Sequence, residues 1–192
     1  LQVIRKADPE FKVSLAGNFH KELEADIYDY CIPIGASYPA EVLARRAQNN
    51  LPTTYYTCCT EAFPNTFTFS DPAEAAWMSY YSAKDHLDGY LRWAYNSWPK
   101  EPLLDSRFEA WAGGDTYLVY PGARSSIRFE KLIEGVQAHE KITILRKEFT
   151  DKKNKTGFKK LEKMLSTFNL RDFPEVPAAE TVNKANKILN SL

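Results

Sequence analysis

Four short segments rich in aromatic and β-branched residues alternate with segments of helical composition along the first half of the chain. The four candidate strands are residues 11–16, 26–32, 53–59 and 89–95. Between them lie a short polar helical piece near Glu22 and Glu24, a helix over 39–47 that starts at Pro39, and a helix over 72–87. This alternation is typical of βα units and predicts an α/β fold with a parallel sheet.

A long connection and three helices follow the fourth strand. Residues 96–124 hold three prolines and three glycines, which predicts a functional loop, with a short strand at 116–120. Ser125 or Ser126 then caps a helix that reaches about residue 149. The predicted apolar face of this helix consists of Ile127, Leu132, Ile133, Val136, Ile142 and Leu145. Helices over 158–168 and 178–192, separated by Pro174 and Pro177, form a C-terminal extension, so we divide the chain into 1–150 and 151–192.

The charge and motif content argues against several classes of partner and cofactor. Lys plus Arg and Asp plus Glu both total 25, and no run of 18 apolar residues occurs, so we expect neither a nucleic-acid nor a membrane partner. The three histidines lack metal-ligand spacing and no phosphate-binding glycine motif occurs, so we expect no metal and no cofactor. Three cysteines, of which Cys58 and Cys59 are adjacent, are interpreted as small buried thiols.

The carboxyl ends of parallel strands form the edge at which ligands bind in βα arrays. If strand four stays extended, Leu91, Trp93 and Tyr95 share a face that we expect to lie under the outer helices. Asn96 and Trp98 then lie on the other face and point into the mouth of the array. An amide and an indole there suit a sugar, although core packing is the alternative for both Trp93 and Trp98. One of Tyr55 and Tyr56 must also point inward.

Acidic residues in the same loops are candidates for catalysis. A glycosidase that uses two carboxylates needs them on either side of one bond. Loop acids are more often helix caps or ion-pair partners, so the residues themselves leave the catalytic pair open. The candidates at this edge are Glu61, Asp105, Glu109 and Asp115.

Several motifs of the chain resemble one family of carbohydrate-active enzymes. They include GYLRWAYNSW at 89–98, Asp-Ser-Arg at 105–107, Gly-Asp-Thr at 114–116, Val-Tyr-Pro-Gly at 119–122 and Ser-Ser-Ile-Arg-Phe-Glu at 125–130. The pattern resembles the C-terminal half of the catalytic domain of glycoside hydrolase family 123 over residues 1–150, most specifically over 55–149. The resemblance implies a partial TIM (β/α)8 barrel, in which the four βα units are strands five to eight and the other half lies upstream.

The same resemblance implies an activity and a substrate class. The family is similar to hexosaminidases in which the substrate's own acetamido group attacks the anomeric carbon, an Asp orients that group, and the following Glu protonates the leaving oxygen. No Asp-Glu dipeptide occurs in this chain, so no catalytic residue is assigned and the pair is expected upstream. We expect a retaining β-N-acetylgalactosaminidase-like exo-enzyme that acts on an amino-sugar glycan. The parent protein is expected to be secreted or periplasmic.

On this interpretation, the chain contributes substrate contacts rather than acids. The expected contacts are Asn96, Trp98 and one of Tyr55 and Tyr56, with Trp93 behind them. One alternative is a noncatalytic carbohydrate-binding or structural half-barrel that pairs with another chain, including a second copy of itself. A further alternative is an independent hydrolase that uses Glu61 with Asp105 or Asp115.

Overall fold

The fold is described from a computed structural model, which describes residues 1–172 and 175–192. Pro174, one of the two prolines expected to separate the last two helices, lies outside the described residues. The chain divides into two compact units. The first comprises residues 1–56 and 87–91, and the second comprises residues 57–86 and 92–192.

The four strands form one sheet in the order β1-β2-β3-β4. They are β1 (Ser14–Ala16), β2 (Asp29–Pro33), β3 (Thr53–Thr57) and β4 (Gly89–Arg92). The β1–β2 and β2–β3 pairs are parallel, with Leu15 opposite Tyr30 and Ile32 opposite Tyr55. The α/β class and the parallel sheet are therefore confirmed, whereas closure of the sheet into a barrel stays a prediction. Every strand is shorter than the sequence indicated, and β4 ends three residues early.

Helices α1 (Gln2–Ala7) and α2 (Ala40–Gln48) belong to the first unit. Arg46 of α2 has no exposed side-chain surface. Its guanidinium donates to the carbonyls of Ile27 (3.0 Å), Tyr28 (2.8 Å) and Pro52 (2.7 Å). Because the acceptors lie on the segments that lead into β2 and β3, this one side chain ties α2 to the sheet.

The second unit contains the remaining helices, α3 (Ala73–Lys84), α4 (Ile127–Asp151), α5 (Lys155–Leu165) and α6 (Ala178–Leu189). Helix α3 begins with reciprocal capping: the Asp71 carboxylate accepts from the Ala73 N–H at 2.9 Å, and the Glu74 carboxylate accepts from the Asp71 N–H at 3.0 Å. Helix α4 begins after Ser126, whose hydroxyl accepts from the Phe129 N–H at 3.2 Å. The predicted cap at Ser125 or Ser126 is thus confirmed at Ser126.

Helix α3 is buried along almost its whole length and packs against α4. The two helices approach each other closely at Gly135, where a Cβ would lie 2.6 Å from the Ser79 hydroxyl oxygen and 2.9 Å from the Ala76 Cα. The predicted apolar face of α4 is only partly correct. Ile142 and Leu145 are buried, but Ile127, Ile133 and Val136 are exposed. The buried surface of α4 instead includes Gly135 and Ala138, because small residues allow the close approach to α3.

Helices α5 and α6 complete the second unit. The ring of Phe168, just after α5, stacks on Tyr80 of α3 with centroids 4.5 Å apart and also contacts Trp77 at 5.6 Å.

The strand predicted at 116–120 is absent; single antiparallel bridges join Asn96 to Tyr117 and Tyr120 to Arg124 instead.

Among the described residues, no helix combines the length and apolarity that a membrane span requires. The division of the chain at residue 150 stays a prediction.

Candidate active site

A buried carboxylate lies at the centre of the loops that follow β3 and β4. Asp115 has no solvent-exposed side-chain surface. Its Oδ1 accepts from the Arg92 guanidinium at 2.6 Å and from the Trp93 indole N–H at 3.3 Å. Arg92 also donates to the Asp115 backbone carbonyl. Oδ2 of Asp115 is buried without a hydrogen-bond partner in the described part of the chain.

One indole, that of Trp93, is hydrogen-bonded to this carboxylate, and a second indole contacts the first. Trp93 and Trp111 are in contact, with centroids 5.7 Å apart and planes tilted by 49°. Trp93 is 44% exposed and Trp111 is 41% exposed, so part of each ring faces solvent. The expectation that Trp93 lies under the outer helices is therefore wrong. For Tyr95 it is only partly correct, because the side chain is 48% exposed but its ring contacts Phe129 of α4 at 5.7 Å. The regular alternation that predicted their burial ends with β4 at Arg92.

Asn96 and Trp98 lie on a segment that pairs with residues 116–119. Backbone contacts hold the two segments together: Leu118 N–H donates to the Tyr95 carbonyl at 2.8 Å, and Ser97 N–H donates to the Thr116 carbonyl at 3.0 Å. The side chain of Asn96 is exposed. Trp98 is also exposed, and its indole N–H donates to the Val119 carbonyl at 2.7 Å.

The indoles of Trp93 and Trp98 have therefore already committed their N–H groups to protein acceptors. An indole has one donor and no conventional acceptor, so these two side chains can offer a ligand only their ring faces. Asn96 keeps an exposed amide, which can both donate and accept.

Tyr55 and Tyr56 lie in the first unit. Tyr55 is buried and its ring contacts Tyr90 at 5.3 Å, so it is a core residue of that unit. Tyr56 is half-buried on the opposite face of β3, and its carbonyl accepts from the Ile34 N–H at 2.9 Å. Of the two tyrosines, Tyr56 is the more exposed.

The loop after β3 is organised by Glu61 and Asn65. Glu61 accepts from the Cys58 N–H and from the Thr60 hydroxyl, both at 2.6 Å. Partial burial opposes ionisation of Glu61, but these hydrogen bonds outweigh it and lower the pKa of the carboxyl. Asn65 donates to the carbonyls of Cys58 and Glu61, each at 2.7 Å, and its Oδ1 accepts from Arg92 at 3.1 Å. Asn65 thus links this loop to the Arg92–Asp115 pair.

The carboxylates proposed for an independent hydrolase are all held by neighbouring groups. Glu61 is fixed by its own loop, and Asp115 is paired with Arg92. Asp105 is exposed and lies 2.7 Å from the Arg107 guanidinium, whose hydrogen bonds lower the pKa of Asp105 to about 2. Glu109 is exposed and has a positive φ of 52°.

Within residues 1–172 and 175–192, no group of three or more His, Cys, Asp or Glu side chains is arranged to hold a metal ion. Cys58 is half-buried and Cys59 is exposed, whereas Cys31, in the first unit, is buried. The expectation of small buried thiols is therefore correct for Cys31 and wrong for Cys59.

Sequence reasoning missed Arg92, Asn65 and Trp111 as parts of this cluster. Arg92 carried a signal, because a charged residue inside an otherwise apolar strand needs a partner. Asn65 and Trp111 carried none, since their partners are distant in sequence and loop geometry brings them together.

Comparison with known proteins identifies the family. Residues 1–145 match the family described as glycoside hydrolase 123, catalytic domain. A solved structure of a family 123 glycoside hydrolase from Clostridium perfringens, from a study of glycolipid glycan hydrolysis, superposes with a TM-score of 0.73 at 26% sequence identity. The match covers 94% of this chain and 35% of that chain, so this chain spans about a third of the length of the solved protein. No curated protein matches. The chain belongs to the glycoside hydrolase 123 catalytic-domain family.

Proposed function

We propose that the chain is the C-terminal half of the catalytic barrel of a glycoside hydrolase and supplies the wall of its sugar site. The observation that carries this proposal is the match to the catalytic-domain family over residues 1–145. A complete barrel takes about 250 residues, and this chain holds four strands, which fits strands five to eight. The whole enzyme then acts on an amino-sugar glycan such as one ending in β-linked N-acetylgalactosamine.

The geometry of the second unit suits the recognition of a sugar ring. A pyranose presents apolar C–H faces as well as hydroxyl groups, and aromatic rings are good partners for such faces. Trp93 and Trp98 offer ring faces of fixed orientation, because Asp115 and the Val119 carbonyl hold their N–H groups. Asn96 offers an amide for hydroxyl groups.

Tyr56 of the first unit is a further proposed substrate contact. Tyr55, the other tyrosine considered, is buried against Tyr90 within that unit. We therefore assign the contact to Tyr56, which is the more exposed of the two.

The chemistry itself belongs to residues outside this chain in our proposal. The substrate's acetamido oxygen attacks the anomeric carbon, an Asp orients that group, and the adjacent Glu protonates the leaving oxygen. No adjacent Asp-Glu pair occurs here, and Glu61, Asp105 and Asp115 are all engaged by neighbours. We assign the pair to an upstream half of the barrel, which makes the enzyme retaining.

Hydrolysis of a nitrophenyl N-acetyl-β-galactosaminide tests the proposal. A polypeptide that also carries the proposed upstream half should release nitrophenol, and the 192-residue chain alone should not. In the active polypeptide, Trp93→Ala should lower kcat/KM by at least about tenfold, the equivalent of ~1.4 kcal/mol of lost transition-state binding. Trp93→Phe, which keeps an aromatic face, should retain most of the activity.

Three results would count against this assignment. Release of nitrophenol by the 192-residue chain, lost on Glu61→Gln or Asp115→Asn, would place the acids in this chain. Sugar binding without hydrolysis by either polypeptide would favour the noncatalytic carbohydrate-binding module. A stable complex between two copies of this chain would favour the paired half-barrel.

A further inference from the structure

Helix α5 carries a row of lysines on its exposed side. Lys155, Lys159 and Lys163 follow one another at four-residue spacing, and all three are exposed. Residues four apart lie on the same side of an α-helix, one turn above the other, so the three side chains form a row roughly 12 Å long. We call these three residues the lysine row. The opposite side of α5, which includes Leu161 and Leu165, is buried.

The charge of the lysine row is not neutralised by the described part of the chain. On α4, Lys147 follows the usual pattern and pairs at 2.6 Å with Asp151, four residues further along the helix. In α5 the residue four positions further along is another lysine. Glu162, the acid of this helix, pairs instead with Arg146 of α4 at 2.7 Å. No carboxylate of residues 1–172 and 175–192 forms an ion pair with the row.

This arrangement opposes the stability of α5 itself. Like charges four residues apart on a helix destabilise it, whereas a Glu–Lys pair at the same spacing would stabilise it. Lys155 also stands in the first turn, which holds no acidic residue, and the positive end of the helix dipole disfavours a cation there. An anion bound along the row would reduce both costs. Local rules of this kind are broken most often at functional sites.

Positive charge is concentrated in this segment although the whole chain is neutral. Residues 152–163 contain six Lys and one Glu, so the rest of the chain carries the compensating excess of five acidic residues. A local field of one sign raises the concentration of oppositely charged partners near the surface that carries it. A polyanion is therefore attracted to this segment, and the net charge of the chain does not reveal it.

The lysine row borders a concave surface with an aromatic wall. A cavity of about 360 Å³ at the start of α5 is lined in part by Lys153, Lys155 and Lys159 and by Phe149 and Phe158. Phe158 is 37% exposed, so part of its ring faces solvent. A sugar ring offers apolar C–H groups to such a wall, and its acidic substituents lie around the ring edge, within reach of the lysines. A concave site with these two features suits an acidic saccharide better than a flat membrane surface.

We propose that the lysine row and the adjoining cavity bind an acidic polysaccharide that contains amino sugars. Its sulfate and carboxylate groups pair with the lysines and release the counterions that otherwise neutralise them. The choice of a saccharide among polyanions rests on the proposed glycoside hydrolase function. The positive charge of the row does not depend on that function.

Binding of chondroitin sulfate to the 192-residue chain tests the proposal by calorimetry in low-salt buffer. This probe alternates a sulfated N-acetylgalactosamine with a uronic acid. We expect saturable binding that weakens as NaCl is added, because salt screens the lysines. A triple variant with Lys155→Gln, Lys159→Gln and Lys163→Gln should bind at least about tenfold more weakly and with a shallower salt dependence, because fewer counterions are released. A parent chain that does not bind the probe would overturn the proposal.

A matched triple variant controls for net charge. Lys147→Gln, Lys184→Gln and Lys187→Gln together remove the same number of charges from exposed positions on α4 and α6 and should bind as the parent chain does. An equal loss of affinity in the two triple variants would overturn the proposal, because net charge and not the lysine row would then account for binding.

Two further probes test the choice of a saccharide. Poly(U) RNA and vesicles that contain phosphatidylserine are polyanionic but hold no amino sugar, and the parent chain should bind both more weakly than chondroitin sulfate. Equal or tighter binding to either would assign the row to a nucleic acid or to a membrane and overturn the proposal. Hydrolysis is not measured, so failure of the hydrolase proposal would leave these affinities unchanged, and absence of binding would leave the hydrolase proposal standing.

Discussion

The guanidinium of Arg92 lies 2.6 Å from the carboxylate of Asp115, and only 4% and 0% of the two side chains is exposed. Removal of one partner from a buried ion pair leaves an uncompensated charge away from water. Asp115→Ala should therefore lower the free energy of unfolding by about 3–5 kcal/mol, measured by urea denaturation. Asp115→Asn, which keeps an acceptor for Arg92 and Trp93, should cost less.

The exposed pair of Asp105 and Arg107 provides the control for this prediction. Asp105→Asn should lower the urea midpoint much less than Asp115→Ala does, because solvent screens the attraction between these groups. If Asp115→Ala and Asp105→Asn lost the same free energy of unfolding, burial would not set the strength of the Arg92–Asp115 pair.

Substitution of two consecutive arginines of α2 should change the free energy of unfolding by very different amounts. Arg46 has no exposed side-chain surface and donates to four backbone carbonyls, those of Glu24, Ile27, Tyr28 and Pro52. The side chain of Arg45 is 51% exposed and donates to the Glu24 carboxylate. Arg46→Ala removes these hydrogen bonds and a buried partner of the Glu24 carboxylate, and should cost about 3–5 kcal/mol of unfolding free energy. Arg45→Ala should cost less, because half of its side chain is exposed and Glu24 keeps Arg46 as a partner at 3.5 Å. Urea denaturation of both variants in the same buffer measures this difference. A comparable loss of unfolding free energy in the two variants would contradict the prediction.

A single methyl group at Gly135 should separate α3 from α4. The added Cβ would lie 2.9 Å from the Ala76 Cα, which is backbone and cannot rotate away. The steric cost of about 1–3 kcal/mol should exceed the gain of roughly 1 kcal/mol in helix propensity. Gly135→Ala should lower Tm, while Ala at the exposed Gln137 of the same helix should leave Tm unchanged or raise it. A raised Tm for Gly135→Ala would mean that the two helices can move apart freely.

Ionised Glu61 should stabilise its loop only above mildly acidic pH. Its pKa in the folded chain is lowered, so the carboxylate contributes stability above its unfolded pKa of about 4.3, and this contribution is lost as pH falls through the lower folded value. Glu61→Gln should be less stable than the parent chain at pH 7, by less than about 1 kcal/mol because the group is partly exposed.

The difference between Glu61→Gln and the parent chain should shrink below pH 4, as followed by urea midpoints across pH. Thr60→Val removes one hydrogen bond to the carboxylate and should move the transition to higher pH. A difference that stayed constant from pH 7 to pH 3 would contradict a lowered pKa.

Much of the fold could be predicted because its signals are local. The cap at Ser126 and the start of α3 depend on side chains within a few residues of the helix they begin. The apolar face of α4 was predicted less well, because ideal helical spacing assumes that large residues face the core. The close approach to α3 at Gly135 requires a small residue there instead, and the buried residues of α4 also include Ala138.

The site was harder to predict than the fold. The burial predicted for Trp93 required β4 to continue to residue 95, and the observed end at Arg92 removed that basis. Asp115 looked like one loop acid among four. Its role depends on Arg92, which is 23 residues away in sequence and meets it only in the folded chain.

The sequence by itself determined the succession of strands and helices, the helix starts and the family, because these depend on periodicity, capping residues and motifs that are contiguous in the chain. Only the tertiary structure decided which acid is buried, which indoles face solvent and which N–H groups remain available. Those properties depend on desolvation and on hydrogen bonds between loops distant in sequence, and no local pattern records them.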